Sequence, residues 1–177
     1  MGRYGTILSA LVMAAIFTFA IGAHTKASAA DSGGQKEGWR SQYDWVGEFH
    51  EDRAVAMKNG EWFHVLRDGK PAYDARYEQV GEFSEGRAAV KKNGTWSYIS
   101  YDGKSDRNGQ YYYAGKFLEG RAAVHKNGEG YHIRLLDESP AYEERYDYVG
   151  EFSEGRALVR KCAILIFINL DGERVEK

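Results

Sequence analysis

The sequence predicts an all-β fold, a tandem array of four antiparallel β units of about 34 residues, open like a solenoid and not closed into a propeller. Three observations support this prediction. A Tyr-to-Phe segment recurs at spacings of 34, 34 and 35 residues, and Asn-Gly or Asp-Gly pairs follow it in most copies. The chain of 177 residues also combines 21 Gly and 14% aromatic residues with only 2 Pro. Such a composition favours short strands joined by tight turns.

The first thirty residues have the three-part layout of a secretory signal peptide. Arg3 supplies the positive start, Ile7 to Ala23 is almost entirely apolar, and small residues follow up to Ala30. That order is typical of a signal peptide with an A-x-A cleavage site. An uncleaved membrane anchor is the alternative, because the apolar run is close to the shortest length that spans a bilayer. We expect residues 1–30 to be removed, which would leave a periplasmic or extracellular protein without stable membrane insertion.

A leader separates the predicted signal peptide from the repeats. Residues 31–42 are rich in Gly, Ser and charged residues and lack apolar periodicity, so we expect a flexible leader there. The repeats then occupy residues 43–76, 77–110, 111–145 and 146–177.

Each copy opens with a strand that runs from a Tyr to a Phe. The first copy reads Tyr43-Asp-Trp-Val-Gly-Glu-Phe49, and the segment returns at Tyr77, Tyr111 and Tyr146. A turn then leads into a second strand, most clearly in Ser84-Glu-Gly-Arg-Ala-Ala-Val90. Because Ala88 and Val90 alternate with Arg87, Ala89 and Lys91, this second strand is predicted to be buried on one face only.

A hairpin turn and a third strand complete each copy. Asn59-Gly60, Asn93-Gly94 and Asn127-Gly128 mark the turn, because a type I′ turn needs positive φ at both central residues. The third strand carries Trp62 or Trp96, then Val65, Ile99, Ile133 or Ile168, and usually ends at Asp-Gly. Each copy has too few apolar positions to fold alone, so stacked neighbours are expected to complete its core.

The fourth copy departs from this pattern at its hairpin. Cys162-Ala163 replaces Asn-Gly, and Ile164 to Ile168 follows without a charge. Terminal repeats are often atypical, and this is the first interpretation. Association through an apolar, uncharged strand at the end of the array is the alternative.

These motifs together resemble the WG-repeat family of mostly bacterial proteins. The resemblance rests on Phe83-Ser-Glu-Gly-Arg-Ala-Ala-Val90, Asn93-Gly-Thr-Trp96 and Ile99 through Lys104, and it covers Tyr43 to Glu173. The sequence departs from the family in having no literal Trp-Gly pair. The resemblance implies a non-enzymatic repeat scaffold and provides no catalytic residues. Asn93 to Ile99 is also similar to cell-wall (choline-type) binding repeats, but those are nearer twenty residues long and lack the Phe-x-Glu-Gly-Arg-Ala segment.

Charge and composition disfavour several kinds of function. The formal net charge is −2, so neither nucleic acid nor an anionic membrane is attracted by net charge. The single Cys162 has no partner for an intramolecular disulfide. No carboxylate or Cys completes a familiar ligand set around the histidines, so no cofactor, metal or general base is expected. The four histidines that follow the predicted signal peptide are expected to be exposed strand residues; they are His50, His64, His125 and His132.

Two kinds of recurring side chain are the binding candidates. The first is the arginine of each acid–arginine pair, namely Arg53, Arg87, Arg121 and Arg156. Aligned on one face, these arginines would bind a carboxylate or phosphate; in the alternative, each pairs with a Glu of its own or the next copy. The second is the aromatic run that contains Tyr112 and Tyr113, which would stack on a sugar or peptide or serve as ordinary cross-strand packing.

The function expected from the sequence is binding without catalysis. Glu48, Glu82 and Glu151 recur at one place in the unit, whereas paired catalytic carboxylates need two distinct environments. A repeated surface suits extended recognition of a protein or a cell-envelope component better than a single reaction centre. A protein that binds or cleaves cell-wall glycans is the alternative.

Overall fold

The computed structural model describes residues 37–105 and 110–176, and within them every regular element except one short 3₁₀-helix is a β-strand. The predicted signal peptide lies outside these residues. The helix η1 is Glu37–Gln42; the strands are β1 Trp45–His50, β2 Arg53–Lys58, β3 Glu61–Leu66, β4 Gln79–Val80, β5 Ala88–Lys92, β6 Thr95–Ile99, β7 Tyr113–Ala114, β8 Arg121–Lys126, β9 Glu129–Arg134, β10 Tyr148–Ser153, β11 Arg156–Lys161, β12 Ile164–Asn169 and β13 Arg174–Val175. Neither described segment contains a helix long and apolar enough to cross a membrane.

The strands form four small antiparallel sheets, one for each predicted unit. The orders are β1-β2-β3, β4-β5-β6, β7-β8-β9 and β10-β11-β12-β13. The Asn-Gly hairpins have the predicted geometry, with φ of 54° at Asn59 and 79° at Gly60. In the fourth unit Cys162 and Ala163 adopt the same turn with φ of 49° and 66°, although side chains disfavour that region. The predicted all-β repeat architecture is confirmed.

Consecutive units are joined by a pair of backbone hydrogen bonds. Trp62 and Tyr77 exchange N–H···O bonds of 3.0 Å in both directions, and the equivalent pairs are Trp96 with Tyr111 and Gly130 with Tyr146. The opening Tyr of the second, third and fourth units therefore pairs with the third strand of the preceding unit. None of the sheets is closed, and β1 pairs with β2 but not with β12. The prediction of an open array is confirmed.

Each sheet has two faces with different neighbours. We call the face that carries Ala88, Val90 and Ile99 in the second unit the front face, and the face that carries Ala89 and Tyr98 the back face. The front-face residues pack in one core cluster with the first unit, whereas Ala89 and Tyr98 pack in another with the third unit. The back face of each unit therefore packs on the front face of the next.

This stacking overturns the prediction that the second strand is buried on one face only. Ala88, Ala89 and Val90 are all buried, as are Ala122, Ala123 and Val124 in the third unit. Ala89 and Ala123, whose side chains lie on the back face, are small because the next unit lies against them. The strand is therefore buried on both faces, which alternation within one strand does not reveal.

The 3₁₀-helix η1 lies in the segment that the sequence assigned to the leader. Its Trp39 ring is edge-on to Phe49 with the centroids 6.3 Å apart, and it packs against Gly69. Tyr73 and Tyr142 pack in the same way against Gly103 and Gly172. Trp39 thus supplies to the first unit the aromatic contact that a preceding linker supplies to the second and fourth units.

Candidate binding site

The turn after the opening strand forms a ladder that runs along the array. A carboxylate oxygen of Glu51 accepts a hydrogen bond of 3.0 Å from the Gly86 backbone N–H in the next unit. Glu85 does the same for Gly120 at 2.9 Å, and Glu119 for Gly155 at 2.8 Å. These three glutamates bind backbone amides and hold one unit to the next.

The arginines of the same turns contact aromatic rings and carbonyl groups of the next unit. The Arg53 guanidinium lies 3.9 Å from the Tyr101 ring centroid, and Arg121 donates to the Leu170 carbonyl at 3.3 Å. Arg156 belongs to the last unit, is exposed, and lies 3.7 Å from Glu154 of its own turn. The predicted pairing of each Arg with a Glu is thus seen at Arg156, while Arg53 and Arg121 bridge units by other contacts.

Two of the predicted arginines line one groove between the second and third units. The groove has a volume of about 570 Å³ and is lined by Glu85, Gly86, Arg87, Gly120, Arg121, Arg134, Leu135 and Leu136. We call it the arginine groove. Leu136 is 87% exposed, so an apolar side chain stands beside the two guanidinium groups. Arg53 and Arg156 are not among the lining residues.

The charges around the arginine groove favour an anionic ligand. Arg134 is held by Asp137 at 2.7 Å, and hydrogen bonds from Ser139, assisted by Arg134, lower the pKa of Asp137 to about 2. The carboxylate among the lining residues, Glu85, accepts the Gly120 N–H. Arg87, Arg121 and Arg134 therefore bring three guanidinium groups to the groove, beside the Glu85 carboxylate, although the chain as a whole is slightly acidic.

The groove owes its shape to an irregularity in the third unit. At the end of the third strand the first, second and fourth units have Asp-Gly, whereas this unit has Leu135-Leu-Asp-Glu-Ser139 and is one residue longer. Glu138 takes positive φ of 52° in the altered turn. Sequence reasoning missed Arg134 and Leu136, although the 35-residue spacing and the lost Asp-Gly pair were the available signals.

The two predicted tyrosines have different surroundings. Tyr112 is 82% exposed and stands where the other units have Asp44, Glu78 and Asp147, whose carboxylates accept hydrogen bonds from hairpin-turn amides. Tyr113 is half-buried with its ring edge-on to His125. Burial, with a smaller effect of Glu151, raises the pKa of Tyr113. The structure therefore leaves Tyr112 accessible and uses Tyr113 mainly for packing.

Two histidines lie inside the junctions between units, and the prediction that they are exposed is wrong. His64 and His132 have no exposed surface. His64 Nε2 donates to the Gly81 carbonyl at 2.9 Å, and its Nδ1 accepts from the Tyr73 hydroxyl at 2.5 Å. His132 makes equivalent bonds to Gly150 and Tyr142. They are buried because the back face of one unit is covered by the next.

The buried histidines are held in the neutral form. Burial lowers the pKa of His64 to about 4, against a partial opposing effect of the Gly81 hydrogen bond. Burial likewise lowers the pKa of His132 to about 4. In the second unit Tyr98 takes this position, and its hydroxyl donates to the Gly115 carbonyl at 2.7 Å. Across the part of the chain that is described, no group of three His, Cys, Asp or Glu is arranged to hold a metal ion.

Comparison with known structures identifies the units as propeller-like. Kluyveromyces lactis Hsv2 superposes with a TM-score of 0.51 at 9% identity over 74% of this chain and 49% of that one. KlHsv2 with loop 6CD replaced by a Gly-Ser linker gives 0.53 at 10% identity, over 74% and 51%. Kluyveromyces marxianus Hsv2 gives 0.50 at 15% identity, over 75% and 49%. These are β-propeller folds, and this chain spans about half their length.

Comparison with protein families explains the repeat pattern. No curated protein matches the sequence. The family model described as WG containing repeat matches residues 41–62, 67–96 and 145–161. The third unit is not matched, yet it forms the same three strands in the same order. These three segments are thus similar to the WG-containing repeat, and the described chain folds as four stacked antiparallel units.

Proposed function

We propose that this protein is an exported, non-catalytic scaffold that binds a protein partner at the cell envelope through the arginine groove. The observation that carries the proposal is that Arg87 and Arg121 line one groove beside the exposed Leu136. Two guanidinium groups can donate several hydrogen bonds to carboxylates. An adjacent apolar side chain gives the same ligand a hydrophobic contact. The ligand that fits is an acidic peptide segment with an apolar residue next to its carboxylates.

The rest of the structure supports recognition by a preformed surface. The glutamate ladder and the paired backbone bonds hold the second and third units together without a ligand. A groove built between rigid units loses little conformational freedom when a ligand binds. The repeated units then act as the frame that positions the groove.

Replacing Arg87 and Arg121 together by Ala should abolish most of the binding. Loss of two charge-assisted contacts at about 1.5 kcal/mol each corresponds to roughly a 100-fold weaker Kd. We suggest screening peptides of alternating acidic and apolar residues, then measuring Kd for the tightest by fluorescence polarisation. Micromolar affinity is expected for the unmodified protein.

Two control variants separate the groove from general electrostatics. Arg156→Ala removes the equivalent arginine of the fourth unit, and Lys92→Ala with Lys116→Ala removes two exposed charges elsewhere. Both should bind within about threefold of the unmodified protein, because screened charges at a distance contribute little. If these controls weaken binding as much as the groove variant does, the groove is not the site.

A glycan is the second candidate ligand, favoured by the exposure of Tyr112. The same assay with purified peptidoglycan and polysaccharides, and with Tyr112→Ala, tests it. Binding of a glycan that depends on Tyr112 and not on Arg87 would replace the proposed function. Turnover of a glycan or peptide that is lost on substitution of one carboxylate would contradict a non-catalytic role.

Export is the part of the proposal that rests on residues 1–30. We expect the mature chain to begin at Ala30 or Asp31, because the small residues before them form the cleavage site. Sequencing the N-terminus of the protein recovered from the periplasm or medium measures this directly. A chain that begins at Met1 and sediments with membranes would contradict it.

A further inference from the structure

The back face of the fourth unit is the one back face that no described unit covers. In the first three units this face packs on the next unit and is buried. In the fourth unit it carries a groove of about 730 Å³ lined by residues that include Leu158, Leu165, Phe167 and Val175. Leu165 is 60% exposed. The face that the fold buries at every internal junction is thus open at the end of the described array, where these apolar side chains lie beside Arg174 and Glu176.

The residues of this face are unsuited to receive another unit of the same kind. Leu158 stands where the earlier units have Val55, Ala89 and Ala123, so there is less room for a closely packed neighbour. Phe167 stands where His64, Tyr98 and His132 bond a glycine carbonyl of the next unit. A further unit stacked here would lose that hydrogen bond and leave its carbonyl unsatisfied, which is costly in a buried place.

The other end of the array cannot serve as the partner either. The front face of the first unit is covered by η1, whose Arg40 lies over the Phe49 ring and donates to the Gly47 carbonyl at 3.5 Å. In addition, Asp52 occupies the position at which later units have a glycine whose backbone N–H donates to a glutamate of the preceding unit. Glu154 of an incoming copy would therefore face another carboxylate. Head-to-tail stacking of two copies is disfavoured at both points.

We propose that the back face of the fourth unit binds the same face of a second copy of this chain, related by a two-fold axis. The apolar side chains of this face are best matched by another apolar surface, and the face is complementary to itself in this respect. Its rim carries both Arg156 and Arg174 and both Glu154 and Glu176, so a two-fold contact can set arginine against carboxylate. In this dimer, apolar contacts between the two back faces take the place of the hydrogen bonds that His64, Tyr98 and His132 make at the internal junctions.

Light scattering during size-exclusion chromatography tests the proposal on the purified protein, in the form that cells accumulate. We expect two copies per particle at micromolar concentration. Leu165→Lys should raise the dimer Kd by about 100-fold or more, because each copy would bury an ammonium group next to Arg160, the cross-strand neighbour of Leu165. Leu136→Lys, which adds the same charge at a more exposed leucine outside the face, should leave the dimer intact.

Two further variants test the symmetry of the contact. Leu165→Cys in a Cys162→Ser background should form disulfide-linked dimers on mild oxidation, because residues near a two-fold axis meet their own copies. Asp52→Lys should leave the Kd unchanged, whereas head-to-tail stacking would be tightened by it. A protein that stays monomeric at 100 μM (about 100 times the micromolar scale), a dimer that tolerates Leu165→Lys, or one tightened by Asp52→Lys would overturn the proposal.

Discussion

Lowering the pH from 7 to 4 should reduce the free energy of unfolding by about 6 kcal/mol through His64 and His132 alone. Each has a pKa of about 4 in the folded protein, against an ordinary value of 6.5. A difference of this size corresponds to about 3 kcal/mol for each histidine. Since the stability of a domain is typically about 5–15 kcal/mol, the array should lose most of its stability in this range.

The sign and the pH window follow from where the protons bind. As the pH falls below 6.5 the unfolded chain takes up protons at both histidines, while the folded chain keeps them neutral. Stability contributed by the neutral histidines is therefore complete above pH 6.5 and is lost progressively down to about pH 4. Burial is the main cause of this resistance to protonation, and it outweighs the opposing effect of the glycine carbonyl that accepts from Nε2–H. The Nδ1 atom, which would take up the second proton, already accepts a hydrogen bond from the Tyr73 or Tyr142 hydroxyl.

Urea unfolding at several pH values between 7 and 4 measures this effect, and His64→Gln with His132→Gln provides the control. The Gln amide can still donate to the glycine carbonyl but does not titrate. The double variant should be less stable at pH 7 and should lose much less stability on acidification. Burial also lowers the pKa of the half-buried His125. This histidine remains in the double variant and should leave a smaller pH dependence of stability in the same range. An unchanged pH dependence in the double variant would contradict the assignment.

Gly103→Ala should destabilise the protein by about 3 kcal/mol, and Gly94→Ala by about 1 kcal/mol. Both glycines have nearly the same positive φ, 75° and 76°, so both substitutions carry the cost of a side chain in the left-handed region. They differ in their surroundings. A Cβ on Gly94 meets nothing within 4 Å, whereas on Gly103 it would lie 2.3 Å from the Tyr73 side chain. The additional cost is that of overpacking, about 1–3 kcal/mol.

Urea unfolding of the two variants separates the steric cost from the backbone cost. Repeating Gly103→Ala in a Tyr73→Ala background completes the comparison, because the clashing ring is then absent. In that background the effect of Gly103→Ala should fall to that of Gly94→Ala. Equal losses for the two single variants would show that Tyr73 does not pack over the turn as described.

The local features of this fold could be predicted because their causes lie within a few residues. Asn59-Gly60 forms its hairpin since both residues tolerate positive φ, and the same holds at the later Asn-Gly pairs. Even Cys162-Ala163 follows the pattern, because the strands on either side hold that turn in place. The 34-residue period, the strand order and the apolar third strands ending near Val65 or Ile99 were also determined by the sequence.

The candidate site could be predicted only in part. Arg87 and Arg121 were identified by their recurrence, and Tyr112 by its aromatic run. Arg134 and Leu136 were not, because they belong to a turn that departs from the repeat. Recurrence also does not distinguish an arginine that lines a groove from Arg53, whose guanidinium is stacked on Tyr101 of the next unit.

The sequence by itself determined the class of fold, the four units and their turns, and it indicated the WG-repeat family. The tertiary structure decided which surfaces are covered. Ala89, His64 and His132 have the phase of outward-facing strand residues, and they are buried because a unit about 34 residues away lies on them. Trp39 covers the start of the array, while no described unit lies over the half-buried Leu158 and Phe167 at its end. Burial depends on contacts between units, and a pattern within one unit contains no information about its neighbours.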